Sequence, residues 1–186
     1  MGLDIVLELP RIAAERLLLR PLDVADAGPI RLYAADPRVA CMTRSIPHPY
    51  PPGAAEAFVE RAGRAPGSGR AVWAVDVGAR AGGEGSPGLI GCVTLDRLDR
   101  GQAEISYWIA PAFWNTGYAT EAVGALAAAN PFGDERWFAS VFQDNPGSAR
   151  VLTHCGFDYL GEADAHCLAR RVTLPTWTYS RRLRAG

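Results

Sequence analysis

Two stretches of the chain place polar and flexible residues where helices begin. The first is Trp114-Asn115-Thr116-Gly117-Tyr118-Ala119-Thr120-Glu121-Ala122, just after an apolar run that ends at Ile109. A strand, a tight turn and a helix start leave free backbone N–H groups, and with the helix dipole they form an anion site. Gly117 puts no Cβ between the backbone and an anion. Asn115 tolerates the left-handed conformation that such a turn often needs. A pyrophosphate fits this description, but so does a plain strand-to-helix turn. The second stretch is Asp144-Asn145-Pro146-Gly147-Ser148, followed by Cys155-Gly156-Phe157. By residue type alone, Ser148 reads as an N-cap and Asn145 as a turn residue. Glu104, on the strand before the first turn, can accept a proton or simply pair with an arginine such as Arg97.

Other candidates read as structural. Glu121 suits the dipole in the first turn of its helix. Tyr107 and Trp108 point to opposite faces of a strand, so one lines a cleft and the other packs in the core. Cys155 adjoins His154 but lacks a His-Asp set in sequence, and reads as a core thiol rather than a nucleophile. Cys41, Cys92, Cys155 and Cys167 form no C-x-x-C pair, and His48, His154 and His166 make no ligand pair, so no metal or disulfide framework is expected.

The elements that must position these residues follow from pattern. Strands are expected at 16–20, 70–77, 89–95, 103–109, 137–142, 157–160 and 172–183. Helices are expected at 23–35, with Asp23 or Asp26 as cap and Asp36-Pro37 as stop, and at 54–64, 118–129 and 148–154. Gly156 reads as the C′ residue of the last helix, Pro175 as a bulge or edge marker, and the Gly-rich segment 78–87 as a hairpin loop. Three antiparallel strands followed by a β-α-β crossover imply a mixed sheet with helices on both faces.

Taken together, Glu104 to Pro111, the Trp114–Ala122 turn and the Asn145-Pro-Gly-Ser148 to Phe157 segment resemble the GNAT acetyltransferase superfamily. Arg16-Leu-Leu-Leu-Arg-Pro21 and Ile46-Pro47-His48-Pro49-Tyr50 resemble its Rim-type ribosomal-protein N-terminal acetyltransferase branch. The resemblance covers nearly the whole chain as a single domain. It implies an α/β fold of the α+β kind, with a mostly antiparallel sheet splayed at a cofactor cleft. Acetyl-CoA is the implied cofactor. Its pantetheine arm would lie along Trp108-Ile109-Ala110, and its pyrophosphate in a signature that maps onto Trp114 to Ala119, with Thr120 following. Gly117 and Ala119 match that signature. Thr116 stands where a cation is usual, which removes one charge-assisted contact.

The resemblance further implies that Asn145 contacts the pantetheine arm and that Ser148 lies near the CoA sulfur, where it can donate to the departing thiolate. Glu104 would accept the amine proton, through water, and a backbone N–H around Trp108 or Ile109 would hold the oxyanion. The acceptor site is expected at Arg44, His48, Tyr50, Phe58 and Trp177. The acceptor itself is an amine: a protein N-terminus in the leading reading, a small molecule in the next. A non-catalytic acyl-CoA-binding protein is the alternative from another class.

Composition sets the outer limits. The chain has 186 residues, 48% of them hydrophobic and 21% charged, which is the balance of an ordinary globular domain. A net charge of −1 gives no nucleic-acid footprint, and the Arg181 to Arg184 run reads as a solvated tail. No apolar run is long enough for a membrane span, and Met1 to Pro10 lacks a basic leader, so a cytoplasmic location is expected. A homodimer is compatible with all of this. Gly117→Val is expected to cripple acetyl-CoA binding; a titration calorimetry isotherm identical to the parent's would show that the turn is not the phosphate site.

Overall fold

The computed structural model describes residues 9–64, 69–78 and 88–183. An eight-stranded sheet runs in the order β1-β2-β3-β4-β5-β6-β8-β7. The strands are β1 Ile12–Ala13, β2 Leu18–Pro21, β3 Arg70–Asp76, β4 Leu89–Leu98, β5 Gln102–Ile109, β6 Arg136–Phe142, β7 Asp158–Cys167 and β8 Val172–Arg182. The helices are α1 Ala27–Ala34, α2 Pro37–Ala40, α3 Ala54–Arg64, α4 Tyr118–Ala129 and α5 Pro146–His154. All strand pairs are antiparallel except β5 with β6.

The two faces of the sheet carry separate cores. On one, Leu126 of α4 and Leu152 of α5 pack against Trp73, Leu95, Ile105 and Trp137. On the other, Ile30 of α1 and Val59 of α3 pack against Val72, Ala74 and Cys92. Strand β3 feeds both cores, so six of its seven residues are buried, as expected for a strand covered on both sides. Alternation along β5 sends Ile105, Tyr107 and Ile109 to the α4–α5 face. Glu104, Ser106 and Trp108 go to the α1–α3 face.

The junction of β2 with α1 is held by charge. Asp23 caps a short 3-10 turn, Val24–Asp26, in a reciprocal capping box with Asp26. Asp26 is fully buried and also takes both Nη1 and Nη2 of Arg20, while Arg20 Nε donates to Asp76. The hydrogen bonds to Asp26 push the Arg20 pKa above the ordinary arginine value. Asp26 therefore spends its carboxylate on Arg20 and makes no cap bond to α1.

Several expectations need correction. Asp36-Pro37 does not merely stop α1; Asp36 caps α2, with Pro37 in its first turn. Asn145, not Ser148, caps α5, which begins two residues earlier than expected. Strand β7 runs on to Cys167, and the bulge lies between Tyr159 and Gly161, not at Pro175. Pro175 sits one residue beyond the last β6 pair, Phe142 with Thr176. Its carbonyl faces that side and accepts from Gln143, so its missing N–H faces the place where β6 has ended. Arg181 and Arg182 belong to β8, and Arg181 Nη1 donates to the Cys155 carbonyl at 2.6 Å, at the end of α5. Most of the expected 78–87 loop lies outside the described residues. No helix among the described residues is long and apolar enough to cross a membrane.

Asp26→Ala strands a partly buried guanidinium and removes the capping box. It is expected to cost about 3 kcal/mol, the range for breaking one side of a buried pair, read as a lower urea midpoint at unchanged slope.

Candidate active site

Strands β5 and β6 pair over only three positions: Gln102 with Arg136, Ala103 with Trp137, and Glu104 with Phe138. Beyond Glu104 they part, and α5 enters on the β6 side. Ala110 N–H donates to Ile90 of the neighbouring β4. By alternation, the N–H groups of Ile109 and Tyr107 face the gap and that of Trp108 faces β4. Of the two expected oxyanion donors, only Ile109 points the right way.

Two cavities open from this fork. One, of about 640 Å³, lies between α2, the end of β5, the start of α4 and α5. The other, of about 520 Å³, lies under α1 and α3 on the opposite side. They meet at Met42, Thr43, Tyr107, Trp108, Asn145 and Ser148. A molecule in each can therefore reach the same point.

The larger cavity has the features of an anion and thioester site. Asn115 has φ 60° and Gly117 φ 86°, so the turn is left-handed at both positions. Gly117 is the N-cap of α4 with no side-chain cap, which leaves the first amides of the helix to a ligand. Trp114 Nε1 donates to the Ile109 carbonyl at 2.6 Å and ties the turn to the end of β5. Trp108, Ile109, Trp114, Asn115, Gly117, Tyr118, Ala119, Thr120, Asn145 and Ser148 all line the cavity. Ala110 and Thr116 do not: Ala110 is buried in the ladder, and Thr116 folds its hydroxyl onto the Phe113 carbonyl. This cradle, with its unfilled amides and glycine approach, fits the phosphates of a CoA.

Ser148 is positioned by three contacts. Its N–H donates to Asn145 Oδ1 at 3.2 Å, its hydroxyl accepts from Asn145 Nδ2 at 3.1 Å, and its carbonyl accepts from Tyr107 Oη at 2.9 Å. Because Oγ accepts from Asn145, the hydroxyl proton is left to donate into the junction of the two cavities. Burial pushes the Tyr107 hydroxyl well above its usual range, so it stays a neutral donor spanning the fork. Burial likewise pushes up the Cys155 thiol, in keeping with a core role.

In the second cavity the sequence candidates divide. Arg44, Tyr50 and Phe58 line it, whereas Glu104, His48 and Trp177 line neither cavity. Trp177 faces the α4–α5 core instead, and Thr176 beside it lines the cavity. Glu104 pairs with Arg44, not Arg97, at 2.7 Å, while Arg97 lies over Phe132.

Sequence reasoning missed Arg16. Its Nη1 donates to the Thr116 carbonyl at 2.9 Å and its Nε to Glu121 at 2.7 Å, and its guanidinium lies over Tyr118. A cation thus reaches the turn from the segment before β2, a link between residues a hundred apart that no local pattern reveals. Glu121 keeps the structural role expected of it.

An acetyltransferase (GNAT) domain family matches residues 16–158. The chain belongs to the GNAT acetyltransferase family. No curated protein matches it significantly. Among solved structures it is similar to Mycobacterium smegmatis RimJ in complex with CoA-disulfide, at 16% identity and TM-score 0.77, covering 93% of this chain and 87% of that one. It is also similar to the Vibrio fischeri ribosomal-protein-S5-alanine acetyltransferase, at 18% identity and TM-score 0.75, covering 94% and 97%. The Vibrio cholerae spermidine N-acetyltransferase in complex with CoA and spermine shares 17% identity and TM-score 0.73, covering 91% and 97%. At these identities the likeness is one of fold. As a GNAT enzyme, the chain is an acetyl-CoA-dependent N-acetyltransferase.

Asn145→Asp keeps the cap of α5 but loses the donor to Ser148 Oγ. It is expected to keep the melting temperature within a degree or two while slowing acetyl transfer about tenfold, the worth of one hydrogen bond at the reacting centre. Asn145→Ala loses both, so thermal melts and thiol-release assays on the two variants separate the cap from the chemistry.

Proposed function

We propose that this enzyme acetylates the N-terminal α-amine of a protein by direct attack on the thioester. One observation carries the choice of acceptor. Arg70, Asp96 and Glu104 sit on one face of three neighbouring strands, Arg70 opposite Asp96 and Asp96 opposite Glu104. Arg70 pairs with Asp96 at 3.2 Å, and Arg44 with Glu104 at 2.7 Å. The row therefore reads plus, minus, minus, plus. A polyamine that took these carboxylates would leave two guanidinium groups unpaired beside its own ammonium charges. An α-amine, with a pKa of about 7.7–8.0, keeps a sizeable neutral fraction near physiological pH and needs no such anionic wall; a lysine amine near 10.4 does.

Acetyl-CoA supplies the acetyl group already activated as a thioester. The amides at Gly117 to Thr120 would hold its pyrophosphate, and the Trp108–Ile109 edge of β5 its pantetheine arm. Ile109 N–H, which faces the gap, would hold the thioester carbonyl oxygen. Glu104 accepts the amine proton through water, and Ser148, held by Asn145, donates to the departing sulfur. Trp108, Tyr50 and Phe58 shape the acceptor side. A small-molecule amine is the second reading, favoured by a cavity of about 520 Å³, which lies in the usual range for small ligands.

Glu104→Gln is expected to lower kcat about a hundredfold near neutral pH, the lower end of general-base effects, with acetyl-CoA affinity unchanged. Initial rates by thiol release, paired with a thermal shift by acetyl-CoA, test this; parent-like rates would remove Glu104 as the base.

A further inference from the structure

We propose that Arg44 selects acceptors that carry a carboxylate within their first two residues, and that binding this carboxylate draws the guanidinium off Glu104. The inference rests on the α-amine reading above. Its basis is where Arg44 comes from and what it spans. The backbone of Arg44 belongs to the loop after α2, and its carbonyl accepts from Leu168 N–H in the β7–β8 turn at 3.1 Å. That turn is fixed in its own right, because Arg170 pairs with Asp144 beside the fork. From this anchored loop the Arg44 side chain crosses to Glu104 on β5. It forms a bar at the wall of the acceptor cavity: Arg44 and Leu168 line that cavity, and Glu104, behind the pair, does not.

An acceptor amine bound for Glu104 must pass this bar. The side chain can move: it is 42% exposed, its partner is 24% exposed, and a pair this open to solvent costs little to part. The other arginine of the row, Arg70, is as open to solvent, but it lies on β3 opposite Asp96, two strands from Glu104, so Arg44 is the one that stands before the base. Among the described residues that line the cavity, Arg44 and Arg70 are the arginines, and His166 joins them from the end of β7. A planar guanidinium released from one carboxylate is matched best by another, taken in the same two-pronged way. An acceptor bearing its own carboxylate offers that exchange, and a neutral acceptor does not.

The exchange also serves the chemistry. With Arg44 drawn off, the charge on Glu104 faces that of Asp96 across the ladder. Glu104 is then open to take the amine proton through water. The amine nitrogen then forms its bond to the acetyl carbon as the carbon–sulfur bond breaks. The amine proton passes to Glu104 and on to solvent; the thiolate takes a proton from the Ser148 hydroxyl, which solvent replaces, and leaves as free CoA. In this sequence Arg44 is a specificity-determining residue.

The test uses the full chain, acetyl-CoA and four acceptors. Two are hexapeptides with a free N-terminus, alike except for Asp or Asn at the second position. The third is a lysine peptide blocked at its N-terminus, and the fourth is spermidine. The parent is expected to favour the Asp peptide over the Asn peptide by about tenfold in kcat/KM, the worth of a charged hydrogen bond. The difference should appear in both KM and kcat. Arg44→Ala should bring the two peptides level by slowing the Asp peptide, and Arg44→Lys should restore part of the preference. An unchanged thermal shift with acetyl-CoA confirms that each variant is folded. Equal rates for both peptides in the parent, or a preference that survives Arg44→Ala, would overturn the role of Arg44 and leave the α-amine reading standing. Acetylation of spermidine or the blocked lysine peptide, with both free N-termini inert, would overturn both.

Discussion

Strands β5 and β6 run parallel for three residue pairs and then separate. Parallel neighbours ordinarily continue as a ladder, since each backbone amide left unpaired inside a protein is costly. Here the ladder stops at Glu104, and the amides of Tyr107 and Ile109 are left facing a gap. What keeps the gap from collapsing is polar. Tyr107 reaches over it to the Ser148 carbonyl, and Asn145 turns the chain back into α5. Both cavities, the presentation of Ser148 and the position of Glu104 at the crotch of the fork follow from this one interruption.

On the proposed assignment, the acetyl-donor side is built from backbone, and the acceptor side from side chains. Amides at the start of α4 and along β5 face one cavity, and they are fixed by the turn and the strand. The other is walled by Arg44, Arg70 and Asp96 and by aromatic side chains, Phe58 from α3, Tyr50 from the loop before it and Trp108 from β5. Backbone recognition suits a constant ligand, because it does not depend on which side chains are present. Side-chain recognition suits a ligand that varies.

Much of this was legible in the sequence where the signal is local. Helices α3 and α4 fall where their patterns place them, and Asn115 takes the left-handed conformation its residue type allows. The Gly156 stop of α5 was readable for the same reason. What escaped is long-range or ambiguous. Asp36-Pro37 ends one helix and starts another, and the same two residues satisfy both rules. Arg97 was a reasonable partner for Glu104 by proximity in sequence, but strand pairing sends it to the other face and a distant loop supplies Arg44. His48 and Trp177 carry suitable chemistry, yet strand alternation and loop packing turn them away from the cavities. Only the register of β6 against β8 decides that Thr176, not Trp177, faces the acceptor side.

The two cavities reach Ser148 from different sides, one by way of α2, α4 and α5 and the other by way of α1 and α3, so each has its own door. Neither occupant need leave before the other can enter or depart. Free CoA can back out past α4 while the acetylated product withdraws beneath α1 and α3. A bulky acceptor, even one with a folded domain attached to its first residues, stays on its own side and never has to thread the channel that the cofactor uses. Traffic through the enzyme is thus sorted by geometry, with Tyr107, Trp108 and Ser148 at the shared threshold.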